Sequence, residues 1–126
     1  MDQVQLNRPA SDASTVLTKA ALRAVEELGI TKREFAEIIG VSPAYVSKLS
    51  AGTAVLTPAN KQGELATHFL RAFRSLDAIV GGKKHTAMEW LRNENTALGV
   101  VPIEALKTVR GLVDVVNYLD QRRAPL

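Results

Sequence analysis

Residues 31–52 read TKREFAEIIGVSPAYVSKLSAG, and this stretch decides the fold. Thr31 followed three positions later by Glu34 is a capping box, in which the hydroxyl takes the Glu34 amide proton and the carboxylate reaches back to the cap. A helix therefore starts here. Phe35, Ala36, Ile38 and Ile39 give it an apolar face, and Gly40 ends it where a residue without Cβ adopts positive φ at little cost. Ser42 caps the next helix, with Pro43 in its first position, where a missing N–H loses nothing. Val46 and Leu49 point inward, and Gly52 stops the element.

With only about two residues between them, the two helices must cross steeply, as in a helix-turn-helix unit. A small side chain is needed where they touch, and Ala36 supplies it. Phe35, Ile39, Val41, Val46 and Leu49 surround the crossing. The spacing resembles the helix-turn-helix of phage-repressor-like (Xre-type) DNA-binding proteins. An ordinary helical hairpin accounts for the apolar positions, but not for Ala36, Gly40 and the Ser42-Pro43 start together.

Upstream, Leu17, Ala21, Ala24, Val25 and Leu28 recur at helical spacing over residues 15–28, and Gly29 ends this supporting helix. Residues 1–14 are polar and aperiodic, and are expected to form a mobile tail. Downstream, residues 53–58 read as an extended link. A long helix beginning near Asn60 then carries the stripe Leu65, Phe69, Ala72, Phe73, Leu76, Ile79 and Val80 before Gly81-Gly82 stops it. The stripe fits a core helix spanning both halves of the chain, or a pairing surface for a dimer. Residues 83–94 predict a short helix with Met88, Trp90 and Leu91. A loop leads to Pro102, which opens a further turn, and Thr108 caps a last helix with Val109, Leu112, Val113, Val116 and Leu119 in register. The expected class is all-α, with no strand alternation and no internal repeat.

Composition fits a folded chain. Of the 126 residues, 46% are hydrophobic and 23% charged, close to globular averages. There is no cysteine, which excludes disulfides and thiolate metal sites. No apolar run is long enough for a membrane span, and residues 1–12 lack the apolar stretch of a signal peptide, so a cytosolic protein without membrane contact is expected. The net charge of +3 is spread evenly: −1 over residues 1–14, +2 over 15–61 and +2 over 62–126. Any DNA binding thus depends on local placement of bases and on two copies of the chain, not on bulk charge.

Catalysis and cofactor binding find little support. His68 and His85 fall on different predicted helices and in no metal-ligand spacing. Gly81-Gly82-Lys83-Lys84 is not a phosphate loop, since Asp77 and Lys84 stand where that motif needs a glycine and a Ser or Thr.

The second half carries a further pattern: Trp90-Leu91, Asn95, Ala97-Leu98-Gly99, Pro102, Leu106, Gly111-Leu112, Val115, Tyr118-Leu119-Asp120 and Arg122. It resembles the toxin-binding domain of the Xre/MbcA/ParS antitoxin family, in which a repressor-like helix-turn-helix often comes first, as here. Val100-Val101 departs from the family, many of whose members have a second glycine before the proline. The resemblance implies a helix-turn-helix domain over residues 15–57 and a small helical toxin-binding domain over 58–126. It implies an antitoxin that neutralises a RES-domain toxin, an enzyme consuming NAD or transferring ADP-ribose, and represses its own operon. This chain would not be the enzyme. In the family the C-terminal region covers the toxin's cleft, which assigns Arg122, Arg123, Ala124, Pro125 and Leu126 to the toxin. The repressor pattern places Ser42, Pro43, Ala44, Ser47 and Lys48 in the major groove, with Tyr45 and Lys32 at phosphates. Partners would be the toxin, operator DNA and a second copy of the chain. The alternative is a stand-alone repressor whose C-terminal half only dimerises.

Overall fold

The structure, a computed structural model, describes residues 2–123, with side chains from Asp12 onward. The described residues form seven helices and no strand: α1 (Asp2–Glu27), α2 (Lys32–Ile39), α3 (Pro43–Ala51), α4 (Lys61–Ile79), α5 (Lys84–Arg92), α6 (Pro102–Ala105) and α7 (Val109–Arg123).

The local signals around α2 and α3 are realised as bonds. Thr31 Oγ1 accepts the Glu34 N–H at 3.0 Å while Glu34 Oε1 accepts the Thr31 N–H at 3.0 Å. Gly40 takes φ 74°, and its N–H closes on the Ala36 carbonyl. Ser42 Oγ accepts the Tyr45 N–H at 3.1 Å, with Pro43 in the first turn of α3. Phe35, Ile39, Val46 and Leu49 are fully enclosed beneath the crossing.

Residues 2–14, expected as part of a tail, continue the backbone of α1, which is helical from Asp2. Ser14 is buried, and its carbonyl accepts the Thr18 hydroxyl at 2.7 Å. Extending an existing helix adds a hydrogen bond for each residue fixed, whereas starting one is costly, so a polar stretch without periodicity is carried along by its neighbour.

Helix α4 is the spine, touching α1 and α2 on one side and α5 and α7 on the other. It is therefore a core helix. Its buried set is Gly63, Ala66, Phe69, Leu70, Ala72, Ser75 and Leu76, wider than the single stripe read from sequence, because two groups of helices cover it. Ile79 is left 41% exposed at its end. In α7 the inward set is Leu112, Val115, Val116 and Leu119, while Val109 and Val113 are exposed at 62% and 39%. Both groups of helices bury their apolar side chains against α4 in one continuous core from Leu17 to Leu119.

Candidate functional site

Two surfaces collect the residues singled out by the sequence. On α3, Ser42, Pro43, Ala44, Ser47 and Lys48 are all exposed. Val46 and Leu49 are buried behind them, so the outer residues share one face of the helix. Lys48 enters no ion pair among the described residues, which leaves its ammonium available to an external acceptor. Lys32 lies to one side, across a groove that it lines with Val46 and Ser50 of α3 and Leu22 of α1. Tyr45 is only half exposed, and its hydroxyl donates to the Val55 carbonyl at 3.4 Å. That bond ties Tyr45 to the link after α3.

The link is held again from within. Thr18 Oγ1, buried in α1, accepts the Leu56 N–H at 2.7 Å. The angle of α3 is thus fixed at both ends of the turn that follows it.

The second surface is formed by α5, the loop over residues 93–101 and the end of α7. Asn95 organises the loop: its Oδ1 accepts the Leu98 N–H at 3.0 Å, its carbonyl accepts the Gly99 N–H at 2.7 Å, and its N–H donates to the Val100 carbonyl at 3.1 Å. Gly99 stands at φ 74°, a conformation that the following Val100-Val101 does not disturb. Trp90 and Tyr118 stack beside this loop, their rings 6.3 Å apart and inclined by 17°. The Arg122 guanidinium sits over the Tyr118 ring, 5.0 Å from its centroid, and its Nε donates to the phenol oxygen at 2.9 Å. Hydrogen bonds from Asn95 and then Arg122 hold the Tyr118 pKa below the usual phenol value. Arg123 turns the other way, toward Ser75 Oγ at 3.5 Å. Ser75 in turn donates to Asp120 at 2.8 Å, and Arg71 completes that group by pairing with Asp120. Ala124, Pro125 and Leu126 lie outside the described residues.

Sequence reasoning gives Asn95 and Tyr118 only their place in the motif, and reads Trp90 as a core residue of the second half, where it packs half-buried against the core. The four-residue spacing from Tyr118 to Arg122, which puts both on one helix face, is the available signal.

Both surfaces fall within known families. Residues 8–71 match the antitoxin Xre-like helix-turn-helix domain, which covers α2, α3 and most of the helices that support them. The chain belongs to the Xre-like antitoxins. Residues 75–124 of this antitoxin match the Xre/MbcA/ParS C-terminal toxin-binding domain, which takes in the Trp90, Tyr118 and Arg122 surface. The two matches meet within α4, the helix that both halves use as core. No curated protein matches the chain.

The antitoxin also joins its halves by exposed ion pairs. Arg92 of α5 pairs with both oxygens of Glu34, at 2.5 and 2.9 Å, and donates to the Gly29 carbonyl at 2.9 Å. Lys107 reaches Glu37 of α2 at 3.3 Å and Glu104 at 3.1 Å. Among the described residues no three His, Asp or Glu side chains are grouped to hold a metal ion, and no helix is long and apolar enough to cross a membrane.

Proposed function

We propose that the antitoxin neutralises a RES-domain toxin that consumes NAD or transfers ADP-ribose, and that it represses its own operon in the cytoplasm as a homodimer. The observation that carries this reading is the tandem of a DNA-binding unit and a toxin-binding domain on one chain with a continuous core. DNA contacts fall within residues 15–57 and toxin contacts within 58–126.

On the DNA side, the exposed face of α3 enters the major groove. Lys48 and Ser47 donate to base edges, Ala44 meets a thymine methyl, and Ser42 and Pro43 lie at the entry of the helix. Lys32 contacts phosphate from the flank, with the Tyr45 phenol beside it. This face holds few Arg, Gln or Asn, so affinity for one half-site is modest and two copies are needed. On the toxin side, Arg122 and Arg123 lead residues 124–126 toward the toxin's cleft. Guanidinium groups suit carboxylate and phosphate acceptors, and Pro125 lowers the ordering cost of a short segment.

Co-expression with the product of the adjacent gene tests the reading. A complex that co-purifies and restores growth, together with loss of rescue but retained DNA binding when residues 122–126 are deleted, is the expected result. Rescue by the truncated chain removes the terminal segment from the mechanism. Absence of both complex and toxicity leaves a stand-alone repressor.

A further inference from the structure

Among the arginines of the C-terminal half, Arg122 is held in an unusual way. Arg71 and Arg92 direct their terminal nitrogens to Asp120 and Glu34, and Arg123 reaches Ser75. Arg122 instead bonds through Nε, to the Tyr118 oxygen at 2.9 Å, with its Cζ 5.0 Å from the centroid of the same ring. Among the described residues, neither of its terminal nitrogens has a protein partner. The side chain is fixed near its base and its two-pronged end is open.

What fixes it is the Tyr118 side chain, one turn back on α7. The Tyr118 oxygen accepts the Arg122 Nε–H, and Asn95, whose Oδ1 takes the Leu98 amide, helps to lower the phenol's pKa from the loop side. The Tyr118 ring is backed by Trp90 at 6.3 Å. The ring therefore has a neighbour on its face, and its oxygen stands where Arg122 Nε reaches it. A long arginine normally loses much rotamer freedom on binding, and a guanidinium already held loses less. Its outward pair of N–H groups matches the two oxygens of a carboxylate.

We infer that Tyr118 is a positioning residue for toxin recognition, presenting the open edge of Arg122 to a carboxylate side chain on an acidic patch of the toxin. The inference rests on the toxin-binding reading above. Charge supports an acidic partner: Arg122 and Arg123 line one recess with Ala78 and Ile79, while Asp120 is already taken by Ser75 and Arg71.

The test is a double-mutant cycle on the toxin complex, with the catalytically inactivated product of the adjacent gene as the probe and Kd as the readout. Tyr118→Phe keeps the ring and its stack on Trp90 but loses the oxygen. It should weaken binding by roughly 3- to 10-fold, and Arg122→Ala by roughly 10- to 100-fold, as for the anchors of other interfaces. The double variant should equal Arg122→Ala alone, because Tyr118 then has nothing to position. Arg122→Lys keeps the charge and loses the fork, and should fall nearer to Arg122→Ala than to the parent. If Tyr118→Phe costs as much in the Arg122→Ala background as in the parent, or if Arg122→Lys binds like the parent, the inference is overturned. A parent chain with no affinity for the probe overturns the toxin reading itself, a result distinct from either of these.

Discussion

Glu34 and Arg92, 58 residues apart, form a two-pronged ion pair that ties the capping box of α2 to the far end of α5. The same carboxylate accepts the Thr31 N–H, so one side chain starts the helix-turn-helix and anchors the toxin-binding half to it. The Arg92 hydrogen bond is the main reason the Glu34 pKa is lowered, to about 2 from 4.5; partial burial opposes it, and the Thr31 amide adds to it. A carboxyl depressed on folding adds stability above its unfolded pKa, and that stability is lost as pH falls from about 4.5 toward 2. The Arg92 side chain is 40% exposed, so solvent screening reduces the effect to on the order of 1–2 kcal/mol. Arg92→Ala should lower stability by that amount at pH 7, and urea unfolding of parent and variant should converge between pH 4.5 and pH 2.

Thr18 makes a separate test of how the link is held. Its hydroxyl donates to the Ser14 carbonyl and accepts the Leu56 N–H, both at 2.7 Å, inside the protein. Thr18→Val keeps the shape but strands the Leu56 amide away from water, at about 1–3 kcal/mol. Thr18→Ser keeps both bonds and should recover most of the loss. Urea midpoints of the three proteins decide it; equal midpoints for Val and Thr would show that the amide finds another acceptor.

The contrast between what these residues do and what the sequence disclosed is one of range. Thr31 with Glu34, Ser42 with Pro43, and the stops at Gly40 and Gly52 are local devices, each complete within four residues, and the helix-turn-helix was legible for that reason. Thr18 and Ser75 bond across the fold to partners 38 and 45 residues away, and no local pattern announces those bonds. In α7, Val109, Leu112, Val113 and Val116 fit a helical stripe as well as Leu112, Val115, Val116 and Leu119 do. Only the position of α4 selects the second set. At the candidate sites, the outer face of α3 and the end of α7 were legible in the chain. The stack of Trp90, Tyr118 and Arg122 was not, because it needs the fold to bring α5 beside α7.

Two glycines inside helices should resist substitution although alanine favours a helix by about 1 kcal/mol. A Cβ on Gly63 would stand 1.8 Å from the Thr57 carbonyl oxygen, and one on Gly111 would stand 2.0 Å from that of Ala105. These are backbone atoms, and the first lies one residue beyond Leu56, which Thr18 pins. Steric cost therefore outweighs propensity, and Gly63→Ala should destabilise by about 3 kcal/mol or more. Gly40→Ala meets open space, and only its φ of 74° opposes it, at about 1 kcal/mol. Thermal midpoints in the order parent, Gly40→Ala, Gly63→Ala would bear this out.

For DNA, Lys48 and Lys32 should separate by the kind of contact they make. Lys48 projects from the outer face of α3 beside Ser47, while Lys32 flanks that face across a groove. A lysine that reads a base loses about 1–3 kcal/mol on truncation, and the preference at that base relaxes. A lysine at a phosphate weakens all sequences alike and lowers the salt slope by about one. Lys48→Ala should therefore reduce operator binding far more than binding to scrambled DNA, and Lys32→Ala should reduce both equally. Titrations of each variant on both DNAs at several salt concentrations measure this. If Lys48→Ala weakens operator and scrambled DNA to the same extent, Lys48 is a phosphate contact, and specificity on this face falls to Ser47 and Ala44.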